Sequence, residues 1–102
     1  MIVAAGENIM VEIVNLRRCK DWGKPGDVRI DRRTKWGNPY PMHMESDRDL
    51  ACDKYAEWFV KQELQNKLNI DELKDAKRLG CWCSPKRCHG DYLKMRIEEL
   101  NK

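Results

Sequence analysis

Apolar positions crowd together early in the chain, where Ile9, Met10, Val11, Ile13 and Val14 are interrupted only by Glu12. A nearly continuous run rich in β-branched residues predicts a strand covered on both faces. It ends at Asn15-Leu16-Arg17-Arg18. Residues 19–45 show no helical period. Gly and Pro punctuate them and leave room for one short strand, Asp27-Val28-Arg29-Ile30. A stretch that long without a helix is usually functional or disordered, and Trp22, Trp36 and Tyr40 argue against disorder.

A helical period opens at Ser46 and runs to about Gln65, with Ser46 and Asp49 resembling a capping signal. Ala51, Tyr55, Trp58, Phe59 and Gln62 trace one face, which Leu50 and Leu64 widen. Asn69 can cap a short second helix over residues 71–76, and residues 78–83 form another strand candidate. The last helix starts near Cys88 or His89 and carries Leu93, Met95 or Arg96, Ile97 and Leu100. Strands joined through a helix favour parallel pairing with a right-handed crossover. The expected fold is therefore α/β: a small single-domain Rossmann-like layer fold with a short, mostly parallel sheet and about three helices. Residues 1–8 are expected to be a flexible extension and residues 9–102 the domain. Ligands of such folds bind beyond the carboxyl ends of the strands, here residues 15–18 and 83–90.

Size and composition narrow the class. A chain of 102 residues has room for one core, and 41% apolar with 36% charged residues suits a modest core under a charged surface. No apolar run approaches the roughly 20 residues of a membrane span. The apolar start at residues 1–6 is short and lacks a basic lead, so it reads poorly as a signal peptide. A net charge of +3 does not by itself argue for nucleic acid. The basic groups Arg17-Arg18, Arg32-Arg33 with Lys35, and Lys86-Arg87 gain meaning only if the fold unites them. Five cysteines are an odd number, and three of them fall within residues 81–88, which points to reduced thiols and a cytoplasmic setting. Cys19 and Cys52 carry no assigned role, and Cys52 reads as packing.

Chemistry concentrates in Cys81-Trp82-Cys83-Ser84-Pro85-Lys86-Arg87-Cys88-His89-Gly90-Asp91. Three readings stand side by side. Cys81, Cys83, Cys88 and His89 are the right types for tetrahedral zinc, although their spacing departs from common zinc motifs. Alternatively, Cys88 at a helix start beside Lys86 and Arg87 suits a reactive thiolate, with His89 or Cys83 as base or resolving partner. The bland reading is strand packing by Cys81 and its neighbours. Backbone N–H groups at this helix start could hold an anion, Gly90 permits a close approach, and Asp91 is either a capping carboxylate or an acid–base group. In Lys35-Trp36-Gly37-Asn38-Pro39-Tyr40, a structural turn pinned by a buried Trp36 competes with a ligand site that stacks on Trp36 or Tyr40 and uses Lys35 and Asn38. His43 is a lone loop histidine, expected to be exposed.

Asn-Leu-Arg after the first strand, Lys-Trp-Gly-Asn-Pro at residues 35–39, and Cys-Trp-Cys-x-Pro-x-x-Cys-His-Gly-Asp at residues 81–91 together resemble DUF4326, a family of small bacterial and phage domains of unknown function. The resemblance spans residues 11 to about 93. It implies a phage or prokaryotic cytoplasmic setting and no named activity.

The leading expectation is a pocket for a nucleotide-like or other phosphorylated ligand. Its candidate contacts are Asn15, Arg17, Arg18 and Lys35, together with Trp36, Asn38, Cys83 and Gly90. An enzymatic version would use Cys88, His89 or Asp91. The alternative is a zinc-containing module that binds nucleic acid or a protein through its basic groups without catalysis. A third is a phage protein that binds a host protein or a signalling nucleotide.

Overall fold

The computed structural model describes residues 10–102, and the expected extension and Ile9 lie outside them. Three short parallel strands, β1 (Glu12–Asn15), β2 (Asp27–Arg29) and β3 (Arg78–Cys81), form one sheet in the order β1-β3-β2. Leu79, fully buried on the central strand, stands opposite Ile13 on one side and Val28 on the other. The next position, Gly80, must lack a side chain. A Cβ there would lie 2.5 Å from Leu16 and 2.6 Å from Trp22, which close over the sheet at that point.

Two α-helices accompany the sheet: α1 (Arg48–Leu64) between β2 and β3, and α2 (Gly90–Leu100) after β3. The chain is thus α/β as expected, with two α-helices among the described residues where about three were expected. The expected helix over residues 71–76 is a single 3-10 turn, Ile70–Leu73. Asn69 caps it by accepting from the Asp71 amide at 3.0 Å, and the buried Ile70 and Leu73 anchor it before the chain turns into β3. No helix among the described residues is long and apolar enough to cross a membrane.

The start of α1 differs from expectation. A 3-10 turn, Glu45–Asp47, precedes it, and the Asp47 carboxylate folds back to the start of that turn, accepting from the amides of His43 (3.0 Å) and Met44 (3.2 Å), so that no side chain caps α1 itself. Ser46 and Asp49 do not cap. The buried face of α1 comprises Ala51, Cys52, Tyr55 and Phe59. Leu50 and Leu64 are exposed, not part of that face: at about 100° per residue they fall on the far side of the helix. In α2, Leu93 and Ile97 are buried while Met95 and Leu100 face outward.

Tyr55 sits at the centre of the core, fully buried. Its ring meets Phe59, Tyr92 and the edge of His89, and its hydroxyl donates to the Trp36 carbonyl at 2.7 Å. Arg96 ties the helices together through Glu63 (2.8 and 3.0 Å) and the Tyr92 hydroxyl (2.6 Å). At the amino end of the sheet, Arg78 forks onto both oxygens of Asp27 at 2.7 Å and reaches Asp21 at 3.0 Å.

Candidate functional site

Beyond the carboxyl ends of β2 and β3 lies a cavity of about 370 Å³. This is where a parallel α/β sheet places its ligands, because strand-end loops diverge there and leave a crevice. Five segments converge on it. Asp31, Arg32 and Arg33 continue from β2, and Asn38, Tyr40 and Met42 come from the long loop. Arg48 and Cys52 belong to the first turns of α1. Cys81, Trp82 and Cys83 leave β3, and Cys88 and His89 precede α2.

The turn at residues 31–38 positions the first two segments. Thr34 donates its amide and its hydroxyl to the Asp31 carbonyl, both at 2.9 Å, and the Gly37 amide bonds the Thr34 carbonyl at 3.1 Å. Gly37 packs flat against this backbone: a Cβ would fall 2.6 Å from Arg32 Cα and 2.7 Å from the Asp31 carbonyl oxygen. Trp36 is buried and stacks on Phe59, so it anchors the turn in the core and offers no stacking face to a ligand. Lys35 lies over the Trp36 ring and pairs with Glu72 at 2.6 Å, away from the cavity. Asn38 spans the gap to α1, donating to the Ala51 carbonyl at 3.1 Å while its own oxygen accepts from the Tyr40 amide at 2.9 Å.

On the β3 side, Asn15 holds the departing loop, donating to the carbonyls of Ser84 (2.9 Å) and Trp82 (3.3 Å). It is a brace, not a wall of the cavity. Arg17 and Arg18 are exposed in the following turn and do not line the cavity either, because the chain reverses on the Asn15 carbonyl before reaching it. Gly90 permits a tight crossing, since a Cβ there would meet Ile30 Cδ1 at 2.8 Å.

The start of α2 is not available to an anion as expected. Its amides are engaged locally: Cys88 N on the Asp91 carboxylate (3.3 Å), Gly90 N on Cys88 Sγ (3.3 Å), and Asp91 N on the Cys88 carbonyl (3.0 Å). Asp91 is thus a capping carboxylate outside the cavity. Lys86 and Arg87 also turn away, to Glu45 (3.3 Å) and to Asp49 and Asp53 (2.9 and 2.8 Å) of α1.

The three clustered thiols are not equivalent. Cys88 and Cys81 are buried with their sulfurs 3.5 Å apart, and Cys83 is half-buried and lines the cavity. Hydrogen bonds from the thiols of Cys81 and Cys88, with the Arg48 guanidinium beside it, hold Cys83 well below the ordinary thiol range against the opposing effect of burial. The same hydrogen bonds, to Cys81 and then Cys83, push Cys88 upward, and burial adds to the effect. Of the three, Cys83 is the one that is only half-buried and stands beside the Arg48 guanidinium. The expectation for Cys88 rested on its place at a helix start and on Lys86 and Arg87 just before it, and those two side chains turn to Glu45, Asp49 and Asp53 instead.

His89 is buried and held neutral by that burial; its Nε2–H donates to the Ile30 carbonyl at 2.6 Å. Among the described residues, no group of three or more His, Cys, Asp and Glu side chains could hold a metal ion. Of the expected zinc set of Cys81, Cys83, Cys88 and His89, His89 turns its Nε2 to the Ile30 carbonyl, and the Cys88 sulfur lies against Cys81 and the Gly90 amide.

Two residues outside the expected set define the polar end of the cavity. Asp31 is 6% exposed, and its Oδ2 accepts from the Trp82 indole at 3.0 Å and from Arg29. Burial pushes its carboxyl upward, but the bonds from Arg29 and Trp82 and the charges of Arg29 and Arg33 outweigh it and leave the carboxyl low. Arg48 is clamped by Glu45 and donates to the Arg87 carbonyl at 2.8 Å. Both had faint signals in the sequence. Asp31 follows directly on the second strand, at its carboxyl end. Arg48 places a cation in a first helical turn, where the dipole disfavours it.

The site and sheet together define a small parallel α/β domain with an arginine-rimmed, thiol-containing cavity at its strand ends. Residues 14–99 match the model of a domain of unknown function, DUF4326, and the chain belongs to that family. It is similar to an uncharacterised 12.4 kDa protein in the nrdA-td intergenic region of Enterobacteria phage T4, with 33% identity over 78 residues covering 74% of this chain and 71% of that one. An uncharacterised protein of Acanthamoeba polyphaga mimivirus is 36% identical over 50 residues, which is 49% of this chain and 36% of that one. No solved structure matches the chain.

Proposed function

We propose that the domain binds a small anionic ligand, nucleotide-like or otherwise phosphorylated, in the cavity at its strand ends. One observation carries the reading. Arg32 and Arg33 stand exposed on the cavity rim, and neither pairs with a carboxylate among the described residues. Arg32 donates to the Tyr40 carbonyl (3.1 Å), which braces the loop and leaves its charge uncompensated. Arg29, Arg48, Arg78, Arg87 and Arg96 are paired, and Arg17 and Arg18, also without a carboxylate partner among the described residues, lie away from the cavity. Guanidinium groups held free beside a cavity suit an oxyanion, which they bind bidentately. The volume is within the range of small-molecule sites, and Tyr40 and Trp82 supply flat apolar surface beside the charges. The accessible Cys83 gives this site a nucleophile, so the enzymatic form of the reading places Cys83, not Cys88, against the ligand.

Isothermal titration of the protein with inorganic phosphate and the common nucleoside monophosphates tests the reading. Arg33→Gln should weaken any binding about tenfold or more, as loss of one charge-assisted contact does. Binding unaffected by Arg32→Gln and Arg33→Gln would place the anion elsewhere.

A further inference from the structure

The oxygen that Asp31 leaves unused narrows the ligand class, given the anion reading above. Asp31 Oδ2 is taken by Trp82 and Arg29, while Oδ1, like the Nε of its ion-pair partner Arg29, is buried without a hydrogen-bond partner. An ionised carboxylate can only accept, and a buried oxygen left without a donor is costly. The side chain lines the cavity, on the same strand continuation as Arg32 and Arg33. We infer that Asp31 accepts a hydrogen bond from a hydroxyl group of the ligand, so that the cavity takes a phosphorylated sugar of the ribosyl type, with its phosphate on the arginines and its hydroxyls on Asp31.

The assignment follows from what each end of the cavity rejects. A phosphate oxygen cannot approach Oδ1, because two anionic acceptors repel and share no proton. A further cation is not called for, because Arg29 already bonds this carboxylate through one nitrogen, has its Nε still unpartnered, and the charge of Arg33 acts on it as well. A neutral donor is what remains, and it must be carried by a molecule whose other end is anionic. A pentose phosphate joins the two within a few bonds, and in a nucleotide the base can then lie against Tyr40 or Trp82. A sugar lacking the hydroxyls would strand Oδ1, which is how sites built for a hydroxyl reject the deoxy analogue.

The experiment uses the full chain, labelled with nitrogen-15, and four probes followed by amide and indole shifts. They are the ribonucleoside monophosphates, their 2′,3′-dideoxy counterparts, the unphosphorylated nucleosides and inorganic phosphate. Ribonucleotides should bind about ten- to a hundredfold more tightly than the dideoxy forms. They should also shift the Trp82 indole signal, whose proton shares the Asp31 carboxylate. Asp31→Asn should abolish the discrimination, and the wild-type comparison stands even if that variant folds poorly. Equal affinity for ribo and dideoxy nucleotides, both tighter than nucleosides, would overturn the Asp31 assignment and leave the anion reading intact. Nucleosides matching nucleotides, with dideoxy forms weaker, would keep Asp31 and overturn the anion reading. Failure of all four probes to bind would overturn both.

Discussion

Cys83 shows how finely the surroundings of a residue set its chemistry. Three cysteines lie within residues 81–88, yet two are buried donors and one is an accessible acceptor beside Arg48. A thiol held below its ordinary range stays thiolate as the pH falls. Alkylation by iodoacetamide should therefore show one fast thiol whose rate changes little between pH 8 and pH 6, where an ordinary thiol slows roughly a hundredfold. Cys83→Ser should remove the fast phase, and Cys88→Ser should retain it. Loss of the fast phase only in Cys88→Ser would return the nucleophile to Cys88. Asp31 makes the same point for a carboxylate. Its position after β2 was legible, but nothing in the residues around it says that a tryptophan 51 positions later would occupy one oxygen and leave the other free.

At the scale of elements, the cavity depends on a loop with no regular structure. Trp36 anchors that loop in the core, Gly37 lets it lie against residues 31 and 32, and Asn38 ties it to α1. The Lys-Trp-Gly-Asn-Pro motif thus shapes the site largely without touching what would bind there. Gly37→Ala should push residues 31–33 outward at a cost of about 1–3 kcal/mol, the usual penalty for overpacking. Denaturant unfolding would show the loss of stability, and titration should show a larger loss of ligand affinity than the stability change explains. Unchanged affinity and stability would mean that the turn does not set the rim. The helices were easier to read than this loop, because periodicity reports one buried stripe. The period nevertheless admitted Leu50 and Leu64 to a face they do not share, since leucine is apolar wherever it stands.

At the scale of the molecule, the two ends of the sheet are electrostatically different. The amino end is closed by Arg78 with Asp27 and Asp21, and the carboxyl end leaves Arg32 and Arg33 open. The Arg78 fork holds Asp27 well below the usual carboxylate range, and Lys24 followed by Arg78 does the same for Asp21. A depressed folded pKa means that the native state binds fewer protons than the unfolded one. The stabilisation is complete above the unfolded value of about 3.9 and is lost as the pH falls below it. His89, also depressed, adds a second loss beginning near its unfolded value of ~6.5 as the unfolded chain takes up a proton. Thermal melts should therefore fall in two stages between pH 7 and pH 3. Asp27→Asn should shrink the lower stage without removing it, because Asp21, Asp31 and Glu45 are depressed as well, and should leave the upper one in place. A melting temperature independent of pH over that range would contradict both assignments.

The amino-acid order alone determined the α/β class, the approximate positions of all three strands and both α-helices, the Asn69 cap and the family motifs. These are local properties: a run of β-branched residues, a 3.6-residue period and a turn-forming tripeptide carry their meaning within a few positions. Tertiary structure decided which of the marked residues meet. It sent Arg17, Arg18 and Lys35 outward, buried Trp36, turned Lys86 onto Glu45 and Arg87 onto α1, and brought Asp31, Arg48 and Trp82 to one cavity. The physical reason is that charge pairing and burial act through space. Arginines with acidic neighbours on α1 are spent on the fold, and Arg32 and Arg33, without such neighbours, stay exposed at the cavity rim.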